Sequence, residues 1–599
     1  MRVSTMMYAA AILLTGGCGG GSGSSDQQVD RIEAIDASKF ATMSVAPLLS
    51  VVTTYSPSIY QLMNLVPSPF VDSYATIRLG TDKRQGIIIG SWSYNSNLDK
   101  IAQTNILILE QKEDGTLRKA TTEYISNSLT NGVGSILVAD FNRDGKDDFF
   151  LPSYNETPAI PQSSVAYIST NTNRFTNLGI VSDKGQELLS NNNDNIIVKD
   201  ATVIDYNGNK SILVSAITSS KEHYLGVYEY DGVKFKFTKL TQAGGDVESQ
   251  SVASATFVNN QNKQIILGGH KINSATRTLT SSSLLSNYTI DSTNYLADPY
   301  FNKPLFDNYV SNDSLSKTKQ PKIWVDDFNQ DGIPDLVVAS EIYPGWRATL
   351  QLLQNNGVAQ YKDQTQNMPF HQSSGLDYSM QLIDVDGSGI KTYFAAQTDP
   401  YCSSKNCRNW NNHGNYIIVN DGSGQFHIVM HDEFVNLGQQ VLNLVKNNSL
   451  STDLAPITWQ INDQALPKFI AYRTNAGLIN FLASVTVLSN MGDPVTFLVN
   501  VPLNLNLKTQ FKKDIVINDR NNSKNIRTFA GNDTITGGCL GTCKVDGGLG
   551  INTVQYNNSD KGYSVQKTNT GFTVIDAMGN VDNLFNIKFV KFQNVTYTH

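Results

Sequence analysis

A short apolar strand that enters a tight acidic loop and leaves as a second apolar strand occurs twice in this chain, and it constrains the fold more than any other feature. The first copy is ILVADFNRDGKDDFFLPS, Ile136 to Ser153; the second is WVDDFNQDGIPDLVVAS, Trp324 to Ser340. In the first, Asp140, Asn142, Asp144 and Asp148 stand at relative positions 1, 3, 5 and 9, with Gly145 at 6. Asp327, Asn329, Asp331, Asp335 and Gly332 keep the same places in the second. Alternate residues of a tight loop turn inward together, and glycine takes the bend that a Cβ resists. A hard cation that wants about six to eight oxygens suits this spacing, with the backbone carbonyl of position 7, Lys146 or Ile333, as a further ligand. An acidic hairpin without an ion uses the same residue types. Against that stands the mutual repulsion of three close carboxylates.

The loops belong to a longer series. Aligning on the strand before each loop gives anchors near Gly80, Asp140, Asp205, Asn259, Asp327, Asp384 and Asn462, spaced by 54 to 78 residues. Short strands and turn residues fill each interval, and tight hairpin signals recur at Asp114-Gly115, Asp231-Gly232, Asn356-Gly357 and Asp421-Gly422. A period of this size implies propeller blades with long loops, and seven anchors imply seven blades. In the second repeat the strands are expected at 135–139, 149–152, 165–169 and 174–178.

These repeats resemble the FG-GAP or VCBS family, the seven-bladed propellers related to the integrin α-subunit head, over roughly residues 68 to 510. The resemblance implies structural calcium, Ca2+, in the hairpins between the first and second strands of a blade. Its ligands would be Asp140, Asn142, Asp144, the Lys146 carbonyl and Asp148, and likewise Asp327, Asn329, Asp331, the Ile333 carbonyl and Asp335. A weaker site is outlined by Asp384, Asp386, Ser388 and Ile390. Asp205-Tyr206-Asn207-Gly208 is shortened and Asn259-Asn260-Gln261-Asn262 has no carboxylate, so neither is expected to hold an ion.

Up-and-down strands put the acidic hairpins and the tight turns on one face and the long loops on the other. Those long loops carry Trp92 with Tyr94, Trp346 with Tyr343 and Arg347, and Trp410 with Tyr401 and Arg408. Aromatics on preformed loops stack on sugars or anchor a protein at low entropic cost; covering blade edges is the other use open to them. Cys402 and Cys407 would pin the third loop.

From about residue 511 to 599 the pattern changes to TFAGNDTIT, GGCLGTC and GGLGINTV, which resembles the glycine-rich nonapeptide of RTX proteins and the cap that follows such rolls. The resemblance implies a small β-roll, with Asp533 or Asn552 as weak calcium ligands. Five cysteines remain to be placed. Cys402 with Cys407 and Cys539 with Cys543 are close pairs that suit local disulfides in an oxidising compartment, metal binding being the competing use. Cys18 follows an apolar run too short to span a bilayer, Met6 to Leu14, in a context that resembles a bacterial lipoprotein signal, with a plain signal peptide as the alternative. Residues 1–17 would then be removed, Cys18 lipidated, and 18–67 would form a Gly/Ser-rich tether and lead-in.

A net charge of −7 and the lack of any basic cluster argue against nucleic acid. Neither H-E-x-x-H nor G-x-S-x-G occurs, and His427 and His431 flank a predicted strand with no glutamate between them. The expectation is therefore an all-β, lipid-anchored, monomeric bacterial envelope protein, at the outer membrane or cell surface, that binds a glycan or protein without catalysis. Its only membrane contact would be the lipid. A polysaccharide-active lyase or hydrolase on the same scaffold is the alternative.

Overall fold

The computed structural model describes residues 58–61, most of 70–506, 514–518 and 523–599; the longest gaps within that span are 183–195, 305–317, 399–414 and 442–467. The protein is all-β with a propeller-like arrangement. Successive sheets follow the chain, antiparallel except for one parallel edge strand in each of the third and fourth. The first comprises Phe70–Leu79, Arg84–Asn95, Leu107–Gln111 and Leu117–Lys119; the second Leu137–Ala139, Asp148–Leu151, Val165–Ser169 and Phe175–Leu178. Five further sheets lie within 180–239, 241–304, 318–373, 377–430 and 468–505. The strands expected in the second repeat are thus in place to within two residues.

Strand alternation explains how the sheets pack. Phe149 and Phe150 are adjacent on one fully buried strand, so they face opposite ways. Phe149 joins Ile77, Ile88 and Ile108 of the first sheet, whereas Phe150 joins Ile212, Val214 and Tyr228 of the third. On the other side of the first sheet, Ile87, Ile89 and Leu109 pack on Ile470, Leu482 and Leu498 of the last. The first sheet is therefore flanked by the second and by the last. Backbone pairing adds to this closure: Ser58–Gln61, the earliest described strand, completes the last sheet by pairing with Pro494–Leu505.

Five blades are recognised in this arrangement, against the seven expected. Irregular sheets account for departures from a uniform blade. The fourth sheet has four strands of 9 to 14 residues and one of three, and the last takes its outer strand from Ser58–Gln61. The four tight turns are present, with left-handed Gly115, Gly232, Gly357 and Gly422 at φ of 80°, 98°, 81° and 88°.

The C-terminal segment is a two-sheet roll. Val516–Ile517, Thr534–Thr536, Thr553–Gln555 and Phe589–Lys591 pair in parallel in one sheet, and Asn525–Arg527, Thr542–Asp546 and Val581–Phe585 in the other. Consecutive strands alternate between the sheets, so each turn of the roll takes 18 or 19 residues up to Val554. Ile517, Ile535, Val554 and Val590 stack inside, each no more than 1 % exposed, opposite Ile526, Val545 and Leu584. One contiguous apolar cluster includes these residues together with Val419, Phe469 and Phe481 of the last two sheets, so roll and propeller-like body share a core.

Asp533 braces the roll. Its carboxylate accepts from Ile515 N at 2.7 Å, and its own N–H donates to Asn552 Oδ1 at 3.0 Å. Burial raises Asp533 to about 6, partly offset by the Ile515 N–H and Thr528. An acid whose folded value is raised is favoured protonated: that contribution is full below the ordinary carboxylate range and is lost as pH rises through about 6. Asp533→Asn, which mimics the protonated form, should gain stability over the native chain between pH 4 and 7, by on the order of 2 kcal/mol. Parallel denaturant titrations of the two proteins across that range check it; a difference independent of pH would refute the assignment.

Candidate functional site

The two acidic hairpins share one pattern of side-chain-to-backbone hydrogen bonds. In the first, Asp140 accepts from the N–H groups of Asp144 at 3.0 Å and Gly145 at 2.9 Å, and Asn142 Oδ1 also accepts from Asp144 N at 3.0 Å. In the second, Asp327 accepts from Asp331 N at 3.0 Å and Gly332 N at 2.8 Å, and Asn329 Oδ1 accepts from Asp331 N at 3.2 Å. Arg143 and Gln330 adopt left-handed φ of 63° and 56°, followed two residues on by Gly145 at 81° and Gly332 at 91°. A Cβ on either glycine would touch nothing, so the backbone conformation rather than space selects glycine.

Position 9 does a different job. Asp148 and Asp335 are fully buried. Asp148 accepts from Phe141 N at 2.9 Å on one side and from Ser169 N, on the third strand of its sheet, at 2.8 Å on the other. Asp335 repeats this with Phe328 N at 3.1 Å and Asn355 N at 2.8 Å. Each carboxylate therefore ties its loop to the sheet. Burial pushes Asp148 and Asp327 up to about 6 and Asp335 up to about 8.

Each hairpin offers oxygen donors only, and the buried carboxylates sit where a bare negative charge is disfavoured. That donor set fits a hard cation. Among the described residues only Cys539, Cys543 and Asp582 bring three His, Cys, Asp or Glu ligand atoms within 4.8 Å of one another. In neither hairpin do three carboxylates come that close together.

Neighbouring elements grip the hairpins through residues the pattern did not mark. Asp147 binds the backbone N–H of Arg78 at 2.9 Å and its guanidinium, which joins the first sheet to the first hairpin. The Lys146 ammonium reaches the carbonyl of Thr170, at the tight turn of the same sheet, at 2.9 Å, so acidic hairpin and tight turn do share a face. The second hairpin touches the roll, where Lys524 N donates to Gln330 O at 2.9 Å, and the sixth sheet, where Asn420 Nδ2 donates to Phe328 O at 2.6 Å. Arg527, whose N–H donates to Asp421 O at 3.0 Å, extends the same joint. Only the Asp147-Asp148 doublet hinted at any of these contacts in the sequence; in the second hairpin Pro334 replaces Asp147.

His427 pairs with Asp421 at 2.9 Å inside the sixth sheet, and Asp421 also accepts from the Ser423 hydroxyl at 2.7 Å. The imidazole therefore belongs to a tight-turn network. Asn552 donates from Nδ2 to Gly547 O at 2.6 Å and to Asn586 O at 3.0 Å, bonds a carboxylate could not make. Its side chain is thus occupied as a brace between turns of the roll. Cys539 and Cys543 are joined in a disulfide.

Cys18, Asp386, Ser388, Ile390, Tyr343, Trp346, Tyr401, Cys402, Cys407, Arg408 and Trp410 lie outside the described residues. For Trp92, Tyr94 and Arg347 the backbone is described. Trp92 and Tyr94 stand on a strand that runs on past its sheet into a hairpin, with Ser93 opposite Ala102 and Tyr94 opposite Ile101. Arg347 opens the third strand of its sheet, opposite Ile342. Asp384 follows the first strand of the sixth sheet, Asp377–Ile383, and its carbonyl accepts from Arg473 at 3.4 Å.

No family model matches the chain, and no curated protein matches it. Among solved structures it is similar to AofleA from Arthrobotrys oligospora, with a TM-score of 0.33 and 10 % identity, covering 62 % of this chain and 89 % of that one. A sialidase from Trypanosoma rangeli, solved with sialic acid, gives 0.31 and 10 %, covering 72 % and 59 %. A β-xylosidase/α-arabinofuranosidase from a compost metagenome, solved with xylotriose in a calcium-free form, gives 0.29 and 8 %, covering 63 % and 96 %. Likenesses this distant carry no argument about activity.

Proposed function

We propose that the protein is a calcium-stabilised binding module: seven sheets closed into one propeller, an RTX-like roll docked on it, and a ligand face of long loops opposite the acidic hairpins. One observation supports it above the others. Asp148 and Asp335 hold their hairpins to the sheets, at Ser169 and Asn355, which favours a structural use of these acidic loops. Recognition then falls to the other face, where Trp92 and Tyr94 ride an extended β-hairpin. Tryptophan and tyrosine on a hairpin suit flat, polar-edged ligands, and a surface glycan is the ligand class this chemistry favours.

Replacing Trp346 and Trp410 together by alanine should abolish retention on a glycan array, a loss of tenfold or more at about 1.4 kcal/mol per decade, with the melting curve unchanged. Retention that survives would place the ligand elsewhere. Incubating the native protein with neutral and acidic polysaccharides separates binding from cleavage, because released product would establish the carbohydrate-active reading instead. Anchoring through Cys18 rests on the lipoprotein-like context. Cys18→Ala should move the protein from the membrane fraction to the soluble one, and no change in fractionation would remove that part of the reading.

A further inference from the structure

We propose that Cys539, Cys543 and Asp582 form a thiophilic metal site that exists in two states: a disulfide when oxidised and, when reduced, a two-thiolate, one-carboxylate site for a zinc-class divalent cation. The fold brings the three together by register. Cys543 lies on Thr542–Asp546 and Asp582 on Val581–Phe585, and the two are direct partners in the parallel pairing of these strands. Both are buried, at 2 % and 3 % exposure, while Cys539 in the preceding turn is half-buried and gives solvent access. One ligand atom from each lies within 4.8 Å of the other two. A tetrahedral zinc centre with bonds to sulfur of about 2.3 Å needs its sulfurs roughly 3.8 Å apart, so opening the disulfide by a small movement is enough.

Two further features favour a site over a mere staple. The carboxylate is already oriented: Asp582 Oδ2 accepts from Gly538 N at 2.7 Å and from the Tyr556 hydroxyl at 2.6 Å, as outer partners do around a metal ligand. The turn is also held without the disulfide. Gly541 N donates to Asn580 Oδ1 at 2.8 Å, and Val581 N donates to Gly541 O at 2.7 Å, so residues 538–541 stay against the neighbouring strand when the sulfurs separate. Two thiolates beside a buried carboxylate would then repel one another, and a cation resolves the conflict. Two sulfurs and one oxygen with an open fourth position suit zinc, whereas the all-oxygen hairpins suit a hard ion. The conversion balances simply. A phosphine reductant takes the oxygen of one water and leaves both sulfurs as thiols, and the incoming divalent cation displaces their two protons to solvent.

Cobalt(II) is the probe, in the full chain carrying Cys402→Ser and Cys407→Ser so that the other cysteine pair contributes nothing. After phosphine reduction the protein should bind one equivalent and show a thiolate-to-cobalt charge-transfer band with the strong visible bands of a tetrahedral centre. Zinc should bleach both, and the unreduced protein should show neither. Cys539→Ser should remove most of the charge-transfer intensity, and Asp582→Asn should weaken cobalt binding by on the order of tenfold or more. Circular dichroism follows the fold throughout. The proposal is overturned by a reduced, folded protein without the charge-transfer band, by unchanged affinity in Asp582→Asn, or by loss of the roll on reduction alone.

Discussion

Removing calcium with a chelator is expected to lower the melting temperature by on the order of 5–10 °C. The estimate has two parts. A ligand present at about a hundred times its dissociation constant stabilises by roughly 2.7 kcal/mol per site, and there are two equivalent hairpins; for a body of this size each kcal/mol moves the midpoint by no more than a few degrees. The structural reason lies in the split of tasks within each hairpin. Asp148 and Asp335 are buried and bonded to the sheet, so they hold with or without an ion. Asp144 and Asp331 at position 5 are not buried; they accept from the N–H groups of Lys146 and Ile333 and from one side chain each, the Ser169 hydroxyl at 3.2 Å and Asn329 Nδ2 at 2.9 Å. Asp144→Ala with Asp331→Ala should therefore erase the response to chelator while leaving a folded protein. A native melting curve indifferent to chelator would end the calcium reading.

Gly548→Ala should unfold the roll. A Cβ there would stand 1.5 Å from Phe529 O, so space forbids a side chain, and φ +64° disfavours one as well. The crowding has a definite source. Leu549 N donates to Phe529 O at 2.8 Å and Gly531 N to Leu549 O at 2.8 Å, which draws successive turns of the roll into contact. The cost should exceed about 4 kcal/mol, in the range of the most damaging single substitutions. Gly145→Ala offers the contrast, since it meets the same conformational preference with nothing nearby and should cost about 1 kcal/mol. Circular dichroism and limited proteolysis should show the roll lost; a Gly548→Ala protein as stable as the native chain would mean the turns are not stacked this closely.

These residues also show which parts of the molecule can be read from sequence. The hairpins are legible because alternate side chains converge and a left-handed backbone selects glycine, both local rules. The roll is legible for a related reason: Ile517, Ile535 and Val554 recur at the length of one turn, and the glycines mark the places where turns touch. Contacts made by backbone atoms leave no such trace. The carbonyl of Gln330 that receives Lys524 N would be there whatever side chain stood at 330, so the meeting of hairpin and roll has no signature. Asn552 misleads for the opposite reason. It resembles a decayed aspartate, yet the structure uses its amide as a double donor, which aspartate cannot supply. The blade count suffers because period alone does not say which sheets pack as regular blades.

The strand at Ser58–Gln61 carries a consequence for how the protein reaches its native state. It pairs with a strand whose partner residue, Asn500, lies roughly 440 positions later, so completing the last sheet brings together two segments very far apart in the chain. Ring closure is then the longest-range event in the chain, expected to be slow and to come late. Until it happens, the outer edge of Pro494–Leu505 presents unpaired backbone groups, the kind of edge that recruits another chain. The Ser58–Gln61 strand thus acts as a latch that both completes the last sheet and covers this edge.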